Sequence, residues 1–260
     1  MDVPVKTTAG FTLVEMAVVL AIVALLLGGL IVPLSAQFDL QKIKETRKAL
    51  DDVKEALLGF AIANGRLPCP ASSTSNGQES FATSPIAGNA ANGICSNFFN
   101  GFVPAATLGI TPIDAQGFML DGWNNRIRYA VSNTTVATIA NPFTSTSGMR
   151  NATMGSIASA NMLYVCASAS GITATNCGTA LMLTNQAPAL VYSTGKNGGW
   201  GGTGLDEAAN PNPNSANNDA VFVSHDIASA GAANGEFDDI VTWLSIGTMF
   251  SRMLTAGQLP

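Results

Sequence analysis

The sequence predicts an α+β fold in which one long, kinked N-terminal helix packs on an antiparallel β-sheet head. Two observations support it. Helical periodicity covers residues 11–63, and several short strand-like segments separated by Gly-, Ser- and Asn-rich loops follow in residues 64–260. A chain of 260 residues can hold one sizeable domain besides such a helix. We therefore divide it into a leader (residues 1–10), the long helix (11–63) and a globular head (64–260).

The first half of the predicted helix is a nearly unbroken apolar run. Residues 11–32 read FTLVEMAVVLAIVALLLGGLIV, in which Thr12 and Glu15 are the polar exceptions. At 1.5 Å per residue, a helix of this length would span the hydrocarbon core of a bilayer, about 30 Å thick. Residues 11–32 are therefore predicted to form the first half of the helix and to cross the membrane. A signal peptide and a plain single-pass anchor are the alternatives, but neither explains an acid inside the run.

Glu15 is the unusual residue of this segment, because no Lys, Arg or His lies near it in the sequence. An acid inside an apolar run is costly and needs a partner. Cleavage between Gly10 and Phe11 would create an α-amino group with a pKa near 7.7–8.0. The amine of a neighbouring subunit could then neutralise Glu15, which would make the segment an assembly signal as well as an anchor.

Five residues carry a family resemblance. Gly10, Phe11, Thr12, Leu13 and Glu15 resemble the prepilin motif of type IV pilins and type II secretion pseudopilins. The resemblance implies a type IV pilin-like fold and a prepilin peptidase that cuts after Gly10 and methylates the amine of Phe11. It also implies an inner-membrane precursor, an inner-membrane assembly machinery, and an extracellular or periplasmic filament whose core (residues 11–32) is a bundle of these helices.

The second half of the helix is amphipathic. Pro33 lacks an N–H group and is predicted to kink or locally melt the helix. Apolar residues then recur near the helical period from Leu40 to Phe60, and charged residues of both signs fill the opposite face. Asn64 and Gly65 are predicted to end the helix.

Four cysteines in the head predict two disulfides and an oxidising compartment. Cys69 and Cys95 bracket a polar loop, and Cys166 and Cys177 bracket a shorter one, so we expect these two pairings. No zinc-like or CxxC spacing occurs.

The remaining head segments are predicted from turn signals and alternation. The turn at Asn124 and Asn125 leads into a strand that ends near Val131, in a segment that partly resembles the DPWGxxYxY element of the major pseudopilin. Further strands are predicted at residues 161–166, 180–184, 189–193 and 238–245, followed by a short amphipathic helix. Residues 132–160 are expected to form a surface excursion, and residues 195–237 a long loop.

That long loop carries the candidate metal ligands. Seven acids lie in residues 206–239, with no Lys or Arg between Lys196 and Arg252. Calcium prefers carboxylate and carbonyl oxygens supplied by loops. The segment STGxNG…FDDIVTW resembles the calcium-binding β-loop of the major pseudopilin. The expected ligands are Asp238 and Asp239, completed by Asp219 or Asp206, and a solvated acidic loop is the alternative.

Composition and motifs limit the function. Only 11% of the residues are charged and the net charge is −5, so the chain lacks the basic stripe of a nucleic-acid-binding protein. No clustered catalytic set is evident, and His225-Asp226 has no accompanying GxSxG nucleophile. We therefore expect no enzyme but a self-associating structural subunit of a pilus, serving adhesion, motility or DNA uptake. A type II secretion pseudopilin and a minor tip pilin that binds a receptor are the alternatives.

Overall fold

The computed structural model describes residues 10–199, 201–211 and 217–259, without the side chains of residues 27–36. The predicted leader lies outside the described residues, except for Gly10. The elements in chain order are α1 (Leu13–Asn64), β1 (Gly101–Phe102), α2 (Ala105–Leu108), β2 (Arg128–Val131), β3 (Thr135–Val136), β4 (Ile139–Ala140), α3 (Gly148–Asn151), α4 (Met154–Ala158), β5 (Leu163–Cys166), β6 (Met182–Ala187), β7 (Ala189–Ser193), α5 (Leu205–Ala209), β8 (Val221–Val223), β9 (Ile240–Trp243) and α6 (Ile246–Thr255).

The chain divides into two compact units, Met1–Ile43 and Lys44–Pro260. Helix α1 runs without interruption through Pro33, so the predicted local melting does not occur there. In the part of the chain that the structure describes, no helix has the length and apolar character of a membrane span. The side chains of residues 27–32 lie outside the described part, so a transmembrane role for residues 11–32 stays a prediction.

The larger unit is built on a four-stranded antiparallel sheet with the order β1-β2-β7-β9. The part of α1 that belongs to this unit packs against the core through Leu50, Val53 and Leu57, which are at most 1% exposed. Tyr129 and Val191, paired across β2 and β7, belong to the same cluster. The predicted apolar stripe is thus buried from Leu50 to Leu57, whereas Leu40 is 57% exposed, and the helix ends at Asn64 as predicted.

A second sheet corrects two expectations. It has three strands in the order β6-β5-β8, and β5 pairs with β8 in parallel, so the head is not wholly antiparallel. Residues 195–237, predicted as loop, contain α5 and the buried strand β8. Strand β8 has three residues and pairs with β5, which is distant in sequence, and its one local signal is the short apolar run AVFV at residues 220–223.

Residues 132–160 are not a surface excursion, which corrects a third expectation. Val136, Phe143, Met149 and Ile157 are at most 2% exposed and belong to the main core. Their spacing follows neither the helical nor the strand period, because short elements and turns carry them. Burial here depends on the tertiary fold and not on periodicity.

Both disulfides link the cysteines that the sequence pairs. Cys69 bonds to Cys95 and Cys166 to Cys177, with Cα–Cα distances of 5.3 and 5.6 Å. The separations are 26 and 11 residues.

Loss of the longer disulfide should destabilise the head more than loss of the shorter. In the chain-entropy model these loops correspond to about 3.5 and about 2.8 kcal/mol. We expect the Cys69→Ser/Cys95→Ser protein to unfold at lower denaturant concentration than the Cys166→Ser/Cys177→Ser protein, and both below the parent. Equal midpoints for parent and variants would contradict this expectation.

Candidate functional site

The prepilin-like motif forms the start of α1. The backbone N–H and the hydroxyl of Thr12 both donate to Oε2 of Glu15, each at 2.9 Å. The backbone N–H of Glu15 lies 3.3 Å from Oγ1 of Thr12, to which it donates. This reciprocal arrangement is a capping box, in which an N-terminal threonine and the acid three residues later satisfy the free N–H groups of the first turn. Glu15 therefore has a partner in its own chain, which the Thr-x-x-Glu pattern could have indicated.

Gly10 and Phe11, which flank the predicted cleavage point, are exposed. Phe11 is 83% exposed, and a Cβ atom added at Gly10 would meet no atom within 4 Å. Nothing in the described fold requires glycine at this position.

The apolar side chains after the motif are exposed on every side of the helix. Leu13 and Leu25 are 87% and 77% exposed, and the consecutive residues Val18, Val19 and Leu20 are each at least half exposed. A helix that is apolar all round is normally covered by other helices or by lipid. A single copy of the chain leaves this described surface, residues 11–26, uncovered.

A second candidate site is a cluster of three buried carboxylates. Glu207 lies on α5, and Asp238 and Asp239 directly precede β9. Ligand-competent oxygens of the three residues lie within 4.8 Å of one another. The residues are only 2%, 7% and 5% exposed.

Backbone and amide groups hold these carboxylates. Oε1 of Glu207 accepts from the N–H of Asp238 at 2.9 Å and from Nδ2 of Asn197 at 3.1 Å. Oδ2 of Asp238 accepts from the N–H groups of Lys196 and Asn197, at 2.9 and 3.2 Å. Oδ2 of Asp239 accepts from Nδ2 of Asn210 at 2.7 Å.

Two oxygens in this cluster are buried without a hydrogen-bond donor among the described residues. They are Oδ1 of Asp238 and Oδ1 of Asn197. Two glycines allow the carboxylates to lie directly against the backbone, where a larger residue would clash with them. A Cβ atom at Gly195 would lie 2.1 Å from Oδ1 of Asp238, and one at Gly202 would lie 1.9 Å from Oε2 of Glu207. Buried oxygens without donors, within a set of carboxylates, fit a hard cation such as calcium.

Burial also disfavours ionisation of the two aspartates of this cluster. Desolvation, together with the nearby charge of Glu207, raises the pKa of Asp238 to about 7. Desolvation raises the pKa of Asp239 well above its usual range, although the hydrogen bond from Asn210 opposes this effect. Without a cation, ionisation of these groups costs folding free energy.

The structure brings together two of the four aspartates that the sequence singled out. Asp238 and Asp239 share the cluster, whereas Asp219 accepts from the N–H of Val221 at 3.0 Å and Asp206 belongs to another network. Glu207 takes their place, although the sequence analysis did not propose it as a ligand. The sequence signal at Glu207 is that of a helix start and not of a metal ligand. Glu207 lies three residues after the N-cap residue Gly204, and the N–H of Gly204 is 3.5 Å from Oε2 of Glu207.

Asp206 is held by a network of its own. It accepts from the N–H of Ala169 at 2.5 Å and from Nδ2 of Asn234 at 3.0 Å, and it lies 3.1 Å from Nε2 of His225. Burial opposes ionisation of Asp206, but these hydrogen bonds outweigh it and lower its pKa. Nδ1 of His225 lies 2.7 Å from the backbone carbonyl oxygen of Asp226, so this contact of the histidine is with the backbone of Asp226 and not with its carboxylate.

Comparison with known proteins identifies the N-terminal segment. The family model of the prokaryotic N-terminal methylation motif matches residues 6–31. The chain therefore carries a prepilin-type motif, as its sequence indicates. No curated protein and no solved structure matches the chain.

Proposed function

We propose that this chain is the structural subunit of a type IV pilus-type filament that polymerises through its N-terminal helix. The observation that carries the proposal is the methylation motif at residues 6–31. The exposed Gly10 and Phe11 and the uncovered apolar surface of α1 support it. Motifs of this type belong to structural proteins whose precursors are processed and then assembled.

In the proposed sequence of events, the precursor is held in the inner membrane by its apolar N-terminal segment. A prepilin peptidase removes residues 1–10 and methylates the new amine of Phe11. The inner-membrane assembly machinery then adds the subunit to a filament. The amine of an incoming Phe11 pairs there with Glu15 of a neighbouring copy, since the two groups carry opposite charges at neutral pH.

A pseudopilin of type II secretion is the second candidate. The buried carboxylates before β9 favour it, because FDDIVTW resembles the closing calcium loop of the major pseudopilin. We propose that Glu207, Asp238 and Asp239 bind calcium there and that the ion would neutralise their charge and join α5 to β9. A minor tip pilin is less well supported. One class of tip pilins lacks the acid at this position of the motif, whereas this chain has Glu15.

Processing tests the proposal directly. When the chain is expressed with a prepilin peptidase, intact mass spectrometry should show a product that begins at Phe11 and carries one additional methyl group. The Gly10→Val protein should remain uncut, and α1 should form normally because the added side chain meets no described atom. An uncut parent, or cleavage at another residue, would contradict the proposal.

A further inference from the structure

The three-stranded sheet has an open edge along the first half of β6. Strand β5 lies on one side of β6, and no described strand lies on the other. Leu181, just before β6, is 72% exposed, and Met182 and Leu183 are 48% and 43% exposed. Successive side chains of a strand point to opposite faces, so both faces of this strand end are uncovered. We call Leu181, Met182 and Leu183 the open edge.

The backbone of the open edge has no partner besides β5. Among the described residues, Met182 and Leu183 form no backbone hydrogen bond outside the pairing with that strand. The second half of β6 differs, because the hydroxyl of Thr184 accepts from the N–H of Gln186 at 3.1 Å. The N–H and C=O groups along a free edge are a template for another strand. The open edge can therefore accept an extended segment.

The outer edges of β1 and β8 are closed by other parts of the chain. Phe102 in β1 exchanges two backbone hydrogen bonds with Ala71, each at 2.9 Å. In β8 the N–H of Val223 donates to Oδ1 of Asn210 at 2.8 Å, and Nδ2 of Asn210 donates to the carbonyl oxygen of Val223 at 3.0 Å. The fold thus supplies partners to these two edges and leaves that of β6 without one.

Charge indicates what can pair with this edge. Natural proteins protect free edges with charged side chains or proline, but β6 contains neither. The whole segment of residues 151–195 has no charged side chain. Two identical edges therefore meet without charge repulsion. In an antiparallel arrangement each presents the same apolar side chains to the other, as in a two-fold contact between copies. A second copy of this chain is thus the occupant that fits the edge.

The layers of the larger unit place this edge away from α1. Tyr129 and Val191 of the four-stranded sheet pack with α1, whereas Ala130 and Leu190 pack with the three-stranded sheet. Helix α1 and the three-stranded sheet therefore lie on opposite faces of the four-stranded sheet. In the proposed filament, on which this step rests, copies assemble through α1, so β6 lies on the side remote from that contact. Copies of one filament are related head to tail, so a two-fold contact joins copies of different filaments.

We propose that the open edge of β6 pairs in antiparallel orientation with the same edge of a second copy. The pairing joins two three-stranded sheets into one continuous sheet. Leu181, Met182 and Leu183 then pack against their counterparts on the two faces of that sheet. The contact is short, so it is weak between single copies and becomes strong where many copies are held together on one filament.

Cross-linking of single introduced cysteines tests the pairing in the full-length chain in detergent micelles. The four native cysteines all form disulfides, so Leu181→Cys and Leu183→Cys each carry one free thiol. With an added oxidant, at least one of them should form disulfide-linked dimers about tenfold faster than Ile113→Cys, because pairing raises the effective concentration of the thiols. Ile113 is a matched control, since it is 43% exposed, as Leu183 is, and lies between α2 and β2.

A charge on the open edge gives the second measurement. Met182→Lys, added to the faster cysteine variant, should lower dimer formation to the rate of Ile113→Cys, because like charges then meet across the pairing. An equal mixture with the corresponding Met182→Glu protein should restore the faster rate, which a misfolded variant could not do.

Three results overturn the proposal. They are dimer formation by Leu181→Cys and Leu183→Cys no faster than by Ile113→Cys, an unchanged rate with Met182→Lys, and a mixture that does not restore the rate. An edge that binds a foreign peptide instead of a second copy gives the first of these results. The measurements use neither filaments nor a processed chain, so their failure leaves the proposed assembly untouched.

Discussion

Replacement of Glu15 by glutamine should nearly abolish filament assembly while cleavage after Gly10 continues. In the structure Glu15 accepts hydrogen bonds from Thr12, and a glutamine oxygen can accept the same bonds. The substitution therefore keeps the cap of α1 and removes only the charge. We expect a fall in filament yield of about tenfold or more, because a charge-assisted pairing between copies is lost. Filament yield is measured by shearing and quantitative immunoblotting.

Thr12→Ala is the matched control for this prediction. It removes the capping hydroxyl and leaves the carboxylate, so it should weaken the first turn of α1 but preserve most of the assembly. Glu15→Ala removes both functions and should resemble Glu15→Gln. If Glu15→Gln assembles normally and Thr12→Ala does not, Glu15 serves only the helix start. The proposed pairing of Glu15 with the amine of a neighbouring subunit is then wrong.

Local signals explain which parts of the fold the sequence could predict. The end of α1 follows from Asn64 and Gly65, since glycine adopts the positive φ of +67° that closes the helix at low cost. The central strand β7 is a continuous apolar run and was correctly located. Both disulfides follow from cysteines that bracket polar loops. In each case the signal lies within a few neighbouring residues.

The features that the sequence could not predict depend on distant partners. Strand β8 exists because Val221 and Phe222 pair with Tyr164 and Val165, more than fifty residues earlier. Phe143 lies in a Thr- and Ser-rich segment but is fully buried in the main core. Composition favours an exposed loop around Phe143, and only tertiary packing reverses that preference, whereas at β8 the apolar run AVFV was too short to stand out among its polar neighbours.

The carboxylate cluster shows the same limit. Asp238 and Asp239 are adjacent in the chain, so the sequence alone places them together. Their grouping with Glu207 requires the segment of residues 195–239 to fold back on itself. Glu207 and Asp206 are neighbours in α5, and their side chains enter different networks. Because both networks join α5 to the loop before β9, this short helix orders a segment that the sequence shows only as acidic.

Calcium should raise the melting temperature of the full-length chain in detergent, most strongly at alkaline pH. The folded-state pKa of Asp238 is raised to about 7, above that of an unfolded aspartate, so its stabilising contribution is present below about pH 4 and is lost as the pH rises through 7. In chelator, the melting temperature should therefore fall between pH 5 and pH 8. At a hundredfold excess over its dissociation constant, calcium should restore about 2.7 kcal/mol, which is roughly 5–10 °C for a unit of this size.

Asp238→Asn should have two opposite effects on the melting temperature at pH 8, which is measured by near-ultraviolet circular dichroism. In chelator it should raise the melting temperature, since one of three crowded buried carboxylates loses its charge, and in calcium it should abolish the further rise. Asp219→Asn is the matched control, because Asp219 lies outside the cluster and its loss should leave the calcium response intact. A response that survives Asp238→Asn but disappears with Asp219→Asn would place the ion elsewhere. A melting temperature that calcium does not move would leave these residues as a buried acidic cluster without a metal function.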